Sequence, residues 1–431
     1  MFAAIKKRIQ SGRITRAVSQ SFFWEVLVAG CTFPASILIN RALGAEQRGI
    51  LAFIILIPSL AFLIATCQWE RTVKGWITSQ RISSHEAWRM TFYYCWILGV
   101  VFILPAIVAC FFYDAVPSSM RWLSALYCLN WPLFFLQGCL AAIFLASGKL
   151  IAQYQMRIWL QLTYLIVIVA LFFFGQVTIF SVVVTYSIMQ AAGLLTGMMI
   201  KKKNLSGEVS QTRPSLSPLR QSFFPYLIES VSTQADRWAF SFFSTASALG
   251  GYVAILALLL PLNLISNALF NGATATLDWR DTHSVRRFLI KSSIFLLLLA
   301  GVAIFVGVRI GQPVLHFVLG ESFAHASWMI AGVVGIVIAG ACGLQFHMSL
   351  QLTGRQTAYL TVQVIEHVFR LILVFVLGFY WAEKGIIAGM TISPLLKCVA
   401  CAFLIFSSDT PKSTSSAEKS DYERGDTELP S

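Results

Sequence analysis

The chain has 431 residues, of which 57% are hydrophobic and 12% are charged, and its formal net charge is +13. A soluble globular domain cannot bury so much apolar surface, so a soluble protein is excluded and lipid is the expected solvent. The positive charge is explained by membrane topology, as argued below, and does not indicate a nucleic-acid partner.

Residues 1–18 form a basic segment in which apolar and cationic side chains alternate. This pattern is typical of a short helix that lies in the membrane interface and contacts membrane lipids. A simple topology signal is favoured over a dedicated lipid-binding device.

Twelve apolar stretches follow, each long enough to cross a bilayer. Their approximate limits are 19–40, 48–68, 90–112, 121–146, 154–174, 177–200, 219–244, 250–273, 287–310, 324–350, 357–380 and 385–406. The polar stretch 201–218 predicts a cytoplasmic linker between an N-terminal six-helix lobe, 19–200, and a C-terminal six-helix lobe, 219–406. The last segment, 407–431, is predicted to be a disordered cytoplasmic tail.

Basic residues set the orientation of these spans. If the N-terminus is inside, most Lys and Arg residues fall at cytoplasmic segments, including Lys149 and Arg157 between spans 4 and 5. The external loops hold few, namely Arg41, Arg48, Arg121, Arg309 and Lys384. We therefore expect both termini in the cytoplasm.

Polar stripes follow one face of several spans. Glu25 shares a face with serine and threonine residues in span 1, while Glu229, Thr233 and Asp236 recur at i, i+4 and i+7 in span 7, with Arg237 beside them. An ionisable group near the middle of a bilayer costs about 2.5–3.5 kcal/mol on insertion scales, so it faces protein or a water-filled cavity. This placement predicts a polar path through the membrane.

Spans 11 and 12 extend this path. Glu366 and Arg370 stand at i, i+4, close enough to pair, and Lys397 lies near the middle of span 12. If these helices converge, they form one substrate-binding cavity of mixed charge, with these predicted site residues: Glu25, Glu229, Asp236, Arg237, Glu366, Arg370 and Lys397. The alternative is that Asp236 with Arg237, or Glu366 with Arg370, are local charge pairs that join helices.

Motifs for chemistry on a substrate were not found. The sequence contains no G-x-x-x-x-G-K-[ST] segment, no paired-carboxylate or Ser-His-Asp arrangement and no metal-ligand spacing. All nine Cys residues fall inside predicted spans, so neither a disulfide framework nor a metal site is expected. We expect a protein that is not an enzyme and needs no cofactor.

Three segments resemble polysaccharide flippases. Residues 39–60, INRALGAEQRGILAFIILIPSL, are similar to the region of the family's first two helices. Residues 234–255, QADRWAFSFFSTASALGGYVAI, resemble its helix 7 to 8 segment, and LGESFAHA, residues 319–326, resembles the stretch before span 10. Asp236 and Arg237 match the family's Asp-Arg pair, whereas residues 66–69 depart from its Gly-rich turn.

This resemblance implies the fold of the multidrug/oligosaccharidyl-lipid/polysaccharide flippase superfamily: an all-α membrane protein with two six-helix lobes around a central cavity. It implies as substrate an undecaprenyl-diphosphate-linked oligosaccharide repeat unit, flipped outward across the bacterial inner membrane for O-antigen, capsule or exopolysaccharide biosynthesis. Polysaccharide polymerase and chain-length proteins are then the expected protein partners. The membrane potential, with proton or sodium exchange, is the hypothesised energy source.

Charge is consistent with this cargo, because a diphosphate needs cations to cross a low-dielectric core, and arginine binds phosphate oxygens with two parallel hydrogen bonds. Three alternatives stay open. They are a cation-coupled multidrug exporter, a lipid II flippase, and a membrane scaffold of a polysaccharide assembly complex that transports nothing.

Overall fold

The computed structural model describes residues 2–78, 82–204, 217–266, 269 and 281–407. Apart from short turns between the helices these residues are helical, and they contain no strand. The helices are α1 Phe2–Thr66, α2 Trp69–Thr78, α3 Ser84–Leu98, α4 Leu104–Phe111, α5 Arg121–Cys128, α6 Trp131–Ala146, α7 Leu150–Phe173, α8 Ile179–Asn204, α9 Ser217–Thr233, α10 Ala235–Phe243, α11 Ala246–Leu258, α12 Leu260–Ser266, α13 Thr282–Leu319, α14 Met329–Leu352 and α15 Gln356–Ser407. A π-helical turn joins α3 to α4, and short 3₁₀ segments precede α5 and α14.

The predicted spans lie on helices where the structure describes them, with short breaks at residues 129–130 in the fourth span and at Gln234 in the seventh. Eight helical stretches of the described chain are long and apolar enough to cross a membrane, or nine if the bent pair of α11 and α12 counts as one span. Two of these stretches, Phe22–Ile77 and Thr357–Ser407, contain two predicted spans each. The C-terminal residues of the predicted eighth span, after 266, lie almost entirely outside the described residues.

Turns with unusual backbone angles separate the spans inside the longest helices. In α1 the break is at Gly44, whose φ of 71° is readily adopted only by glycine. The break in α15 is at Trp381 and Ala382, where Ala382 has a φ of 46°. At residues 66–69, where the sequence departs from the flippase pattern, Cys67 and Gln68 also have positive φ and end α1 before α2 begins.

The predicted segments between and beside the lobes are described only in part. Helix α1 begins at Phe2 and continues to Gly44, so residues 2–18 join the first span as one helix; side chains before Phe22 lie outside the description. Of the predicted linker 201–218, residues 205–216 lie outside the described residues, as does the predicted tail beyond Ser407.

The two lobes meet where the second arm of α1 crosses α11. A Cβ atom added at Gly49 would overlap the Ala246 carbonyl, and one added at Gly250 would overlap the Ala45 carbonyl. The contact is reciprocal, since residues 45–49 and 246–250 share the pattern Ala-x-x-x-Gly. Small residues at this spacing let helix backbones approach closely inside a membrane.

Apolar packing continues around this crossing. The largest core cluster contains Ile39 and Leu51 of α1 together with Tyr252 of α11 and Phe323. These side chains are 0–2% exposed, so this core joins the lobes.

Candidate functional site: buried charge clusters in two lobes

The two arms of α15 bring three predicted site residues together. Glu366 and Arg370 lie on the first arm one helical turn apart and form an ion pair. Lys397 lies on the second arm, with its Nζ 3.3 Å from Glu366 Oε2. The side chains of Glu366, Arg370 and Lys397 are 2%, 14% and 11% exposed. We call these three residues the α15 cluster.

Neutral polar groups complete the surroundings of Glu366. Ser393 Oγ donates a hydrogen bond to Glu366 Oε1 at 2.9 Å. His367 Nδ1 lies 3.3 Å from Glu366 Oε2 and 3.1 Å from Ser232 Oγ of α9. The carboxylate therefore has polar partners from both arms of α15, as a buried charge requires, and His367 connects it to Ser232 of α9.

The α15 cluster has a surplus of positive charge, because it contains one carboxylate and two cations. Arg370 also has a buried Nε–H group with no hydrogen-bond acceptor among the described residues. A buried donor without a partner is unfavourable by about 1–3 kcal/mol. Surplus charge and an unused donor both favour an additional anionic ligand over a cation.

Glu229 connects α9 to the same face of α15. Its Oε2 accepts a hydrogen bond of 2.8 Å from Gln363 Nε2, and Gln363 precedes Glu366 by one helical turn. Glu229 is half-buried and forms no ion pair with a Lys or Arg of the described chain. The polar stripe of span 7 is thus continuous with that of span 11.

Asp236 and Arg237 are adjacent, yet their side chains have different partners. Asp236 accepts hydrogen bonds from the Tyr252 hydroxyl and from the backbone N–H of Arg237, both at 2.8 Å. The Arg237 guanidinium donates to Gln234 Oε1 at 3.0 Å. No ion pair joins these two side chains in the described structure, so the local Asp236–Arg237 charge pair considered above is not observed.

Glu25 belongs to a separate cluster in the N-terminal lobe. It pairs with Arg157 of α7, whose Nη1 and Nη2 lie 2.7 and 3.3 Å from the two carboxylate oxygens. Tyr154 contributes a longer hydrogen bond of 3.4 Å. Glu25 therefore does not join the α15 cluster, whereas Glu366, Arg370 and Lys397 contact one another.

Arg157 was missed as a site residue. It lies inside the predicted fifth span, although its position near the start of that span also suits the cytoplasmic edge. A signal was present, because Arg157 and Gln161 repeat the i, i+4 polar spacing that identified span 11. Gln137 is a single polar residue in the apolar helix α6, whereas Gln190 follows Tyr186 and Ser187 by about one turn of α8, a spacing that carried no charge to single it out.

Comparisons with known proteins identify the fold. No family model matches the sequence, and no curated protein matches it. An inward-facing multidrug resistance MATE family transporter of the MOP superfamily is similar with a TM-score of 0.65 and 12% identity, covering 88% of this chain and 94% of the other. The lipid II flippase MurJ in an inward closed conformation is similar with a TM-score of 0.64 and 14% identity, covering 90% and 86%.

A eukaryotic MATE transporter, AtDTX14, is also similar, with a TM-score of 0.60, 12% identity and coverage of 93% of this chain and 97% of the other. These neighbours are transporters and flippases built from two helical lobes. The chain accordingly has the two-lobed, multi-helix membrane fold that these proteins share.

Proposed function

We propose that this protein flips an undecaprenyl-diphosphate-linked oligosaccharide from the cytoplasmic to the outer leaflet of a bacterial inner membrane. The observation that carries the proposal is the surplus positive charge of the α15 cluster. A diphosphate moved through a low-dielectric region needs cations, and the guanidinium groups of Arg370 and Arg237 match phosphate oxygens in geometry.

At the α15 cluster, charge distinguishes this cargo from the cation of a multidrug exporter. A cation-binding site requires a carboxylate that is not already neutralised by protein, a condition that Glu229 and Asp236 meet but Glu366 does not. Glu366 already contacts Arg370 and Lys397, so a cationic drug would meet like charge at this cluster. An anionic headgroup would instead complete the unused hydrogen-bonding capacity of Arg370.

Transport on this proposal alternates between two arrangements of the lobes, with the substrate headgroup between them. Both termini face the cytoplasm, and polysaccharide polymerase and chain-length proteins receive the flipped unit outside. Proton or sodium exchange joins the membrane potential as the energy source.

The test measures lipid-linked oligosaccharide on each side of the inner membrane after deletion of the gene. We expect inward-facing intermediate to accumulate, to clear when the wild-type protein is restored, and to persist with Arg237→Gln or Lys397→Gln. Both substitutions remove a cation without leaving Glu366 unpaired, because Arg370 remains beside it. Lys384→Gln is the matched control, since Lys384 lies over the Trp328 ring, outside the cluster.

Each other result has a defined meaning. Accumulation of lipid II in place of an oligosaccharide lipid would identify a lipid II flippase. Absence of any accumulated lipid intermediate would contradict flipping and favour drug export or a scaffold.

A further inference from the structure

A second polar site lies in the N-terminal lobe, between α6, α7 and α8. It is a cavity of about 240 Å³ with a mixed lining. The polar lining residues are Gln137, Arg157, Gln161 and Gln190, and the apolar ones include Phe134, Met156 and Met189. We call this cavity the glutamine pocket.

Two carboxamides of the glutamine pocket have unused acceptors. The side-chain oxygens of Gln137 and Gln190 are buried and receive no hydrogen bond from any described residue. Gln137 is only 9% exposed. Buried polar atoms in native proteins nearly always have partners, so these two oxygens point to a ligand or water that supplies hydrogen-bond donors.

The charge of the pocket favours a neutral ligand. Arg157 is the charged residue of its described lining, and both of its terminal nitrogens bind the Glu25 carboxylate. The carboxamides are uncharged and offer acceptors and donors together. A hydroxyl group fits such a surface, because it donates one hydrogen bond and accepts others.

The volume of the pocket limits the size of the ligand that it can hold. A volume of 240 Å³ is below the roughly 300–1,000 Å³ usual for drug-sized ligands, which suits a group as small as one sugar ring. Gln161 lies about 16 Å along α7 from its first residue, at a rise of about 1.5 Å per residue, so this part of the pocket lies within the apolar length of α7.

We propose that the glutamine pocket binds one neutral sugar ring of the transported lipid. Sugar hydroxyls donate to Gln137 and Gln190 and accept from their amide groups, while Phe134 and Met189 pack against the apolar face of the ring. The inference rests on the proposed function and extends it. The α15 cluster binds the diphosphate, and the glutamine pocket of the other lobe recognises the sugar.

The test compares two probes on the full-length protein purified in lipid nanodiscs. One is undecaprenyl diphosphate, which has no sugar, and the other is lipid-linked oligosaccharide extracted from the organism that makes the protein. We expect Gln137→Leu and Gln190→Leu to weaken binding of the sugar-linked lipid about tenfold, which corresponds to about 1.4 kcal/mol. Binding of the sugar-free lipid should stay unchanged.

Controls separate binding from folding. Gln155→Leu is the matched control, because Gln155 is exposed on α7 and does not line the pocket. Replacing a carboxamide that lacks a partner should leave the thermal stability of the ligand-free protein unchanged or raise it. If Gln137→Leu does not fold, Gln161→Leu replaces it, since Gln161 is only half-buried.

Four outcomes would overturn the proposal. In the first, the wild type binds both lipids with equal affinity; in the second, the variants bind both lipids like the wild type because the pocket contains only water. In the third, the variants lose affinity for both lipids alike. In the fourth, the wild type binds neither lipid. The last also contradicts the proposed function. If Lys397→Gln loses binding of both lipids, while the wild type binds the sugar-linked lipid more tightly than the sugar-free one, the result would support the diphosphate site.

Discussion

Glu366 is the carboxylate around which the α15 cluster is organised. Transfer of a carboxylate out of water costs several kcal/mol, and this cost is offset only where cations and hydrogen bonds replace the lost hydration. Arg370, Lys397 and Ser393 supply that replacement. The three charges are therefore unequal in their structural importance, since removal of the single carboxylate leaves two cations together.

This inequality gives a prediction at the residue scale. We expect Glu366→Gln to destabilise the protein by about 3–5 kcal/mol, because Arg370 and Lys397 lose their shared counter-ion. Lys397→Gln should have little effect on stability, since Glu366 keeps Arg370. Thermal denaturation of the purified variants measures the difference, and a less stable Lys397→Gln would contradict this account of the cluster.

The element that joins the lobes is the crossing of α1 and α11. Its backbones approach so closely that Gly49 and Gly250 have no room for a side chain. Gly30 of α1 and Gly301 of α13 are also helical, but a Cβ atom there would meet nothing within 4 Å. Glycine is thus required for its small size at Gly49 and Gly250, whereas at Gly30 and Gly301 it is not.

This difference predicts opposite effects of alanine. Gly49→Ala and Gly250→Ala should separate the helices and lower the thermal stability, because a backbone carbonyl cannot move aside as a flexible side chain can. Gly30→Ala and Gly301→Ala should be neutral or stabilising, since alanine favours helix by about 1 kcal/mol over glycine. Thermal denaturation of the four variants checks both expectations. Equal effects at all four positions would show that close approach does not matter.

At the scale of the whole molecule, the proposed transport moves a negative headgroup from a negative cytoplasm to the outside. Each elementary charge that moves without a counter-ion gains about 2.3 kcal/mol per 100 mV. The α15 cluster belongs to the protein, so its charges do not leave with the substrate. The membrane potential therefore acts on the headgroup.

Flipping should accordingly slow when the potential is collapsed. In vesicles that contain the purified protein, we expect a potassium gradient with an ionophore to set the rate of appearance of lipid-linked oligosaccharide in the far leaflet. Reversal of the gradient should slow that appearance. A rate that does not depend on the potential would contradict net charge movement, and a rate that follows a proton or sodium gradient alone would identify the coupling ion.

Local properties of the chain were predictable from the sequence by itself. A membrane span depends on the length of one apolar stretch, so ten of the twelve predicted spans lie in the eight apolar helical stretches, and the described part of the eighth lies in the bent pair of α11 and α12. The seventh is divided between α9 and α10. The pairing of Glu366 with Arg370 was also predictable, because residues at i and i+4 lie on one face of any helix. The two-lobed fold followed from the resemblance to polysaccharide flippases and agrees with the structural neighbours.

Contacts between helices were decided only by the tertiary structure. Glu25 and Arg157 are 132 positions apart in the sequence, and Glu229 and Gln363 are 134 apart. The periodicity of a single helix therefore could not predict either pair. The separation of Glu25 from the α15 cluster has the same origin, because a polar stripe gives the face of one helix but not the helix that it meets. The sequence thus determined the spans and their polar faces, and packing between the spans determined which charges share a site.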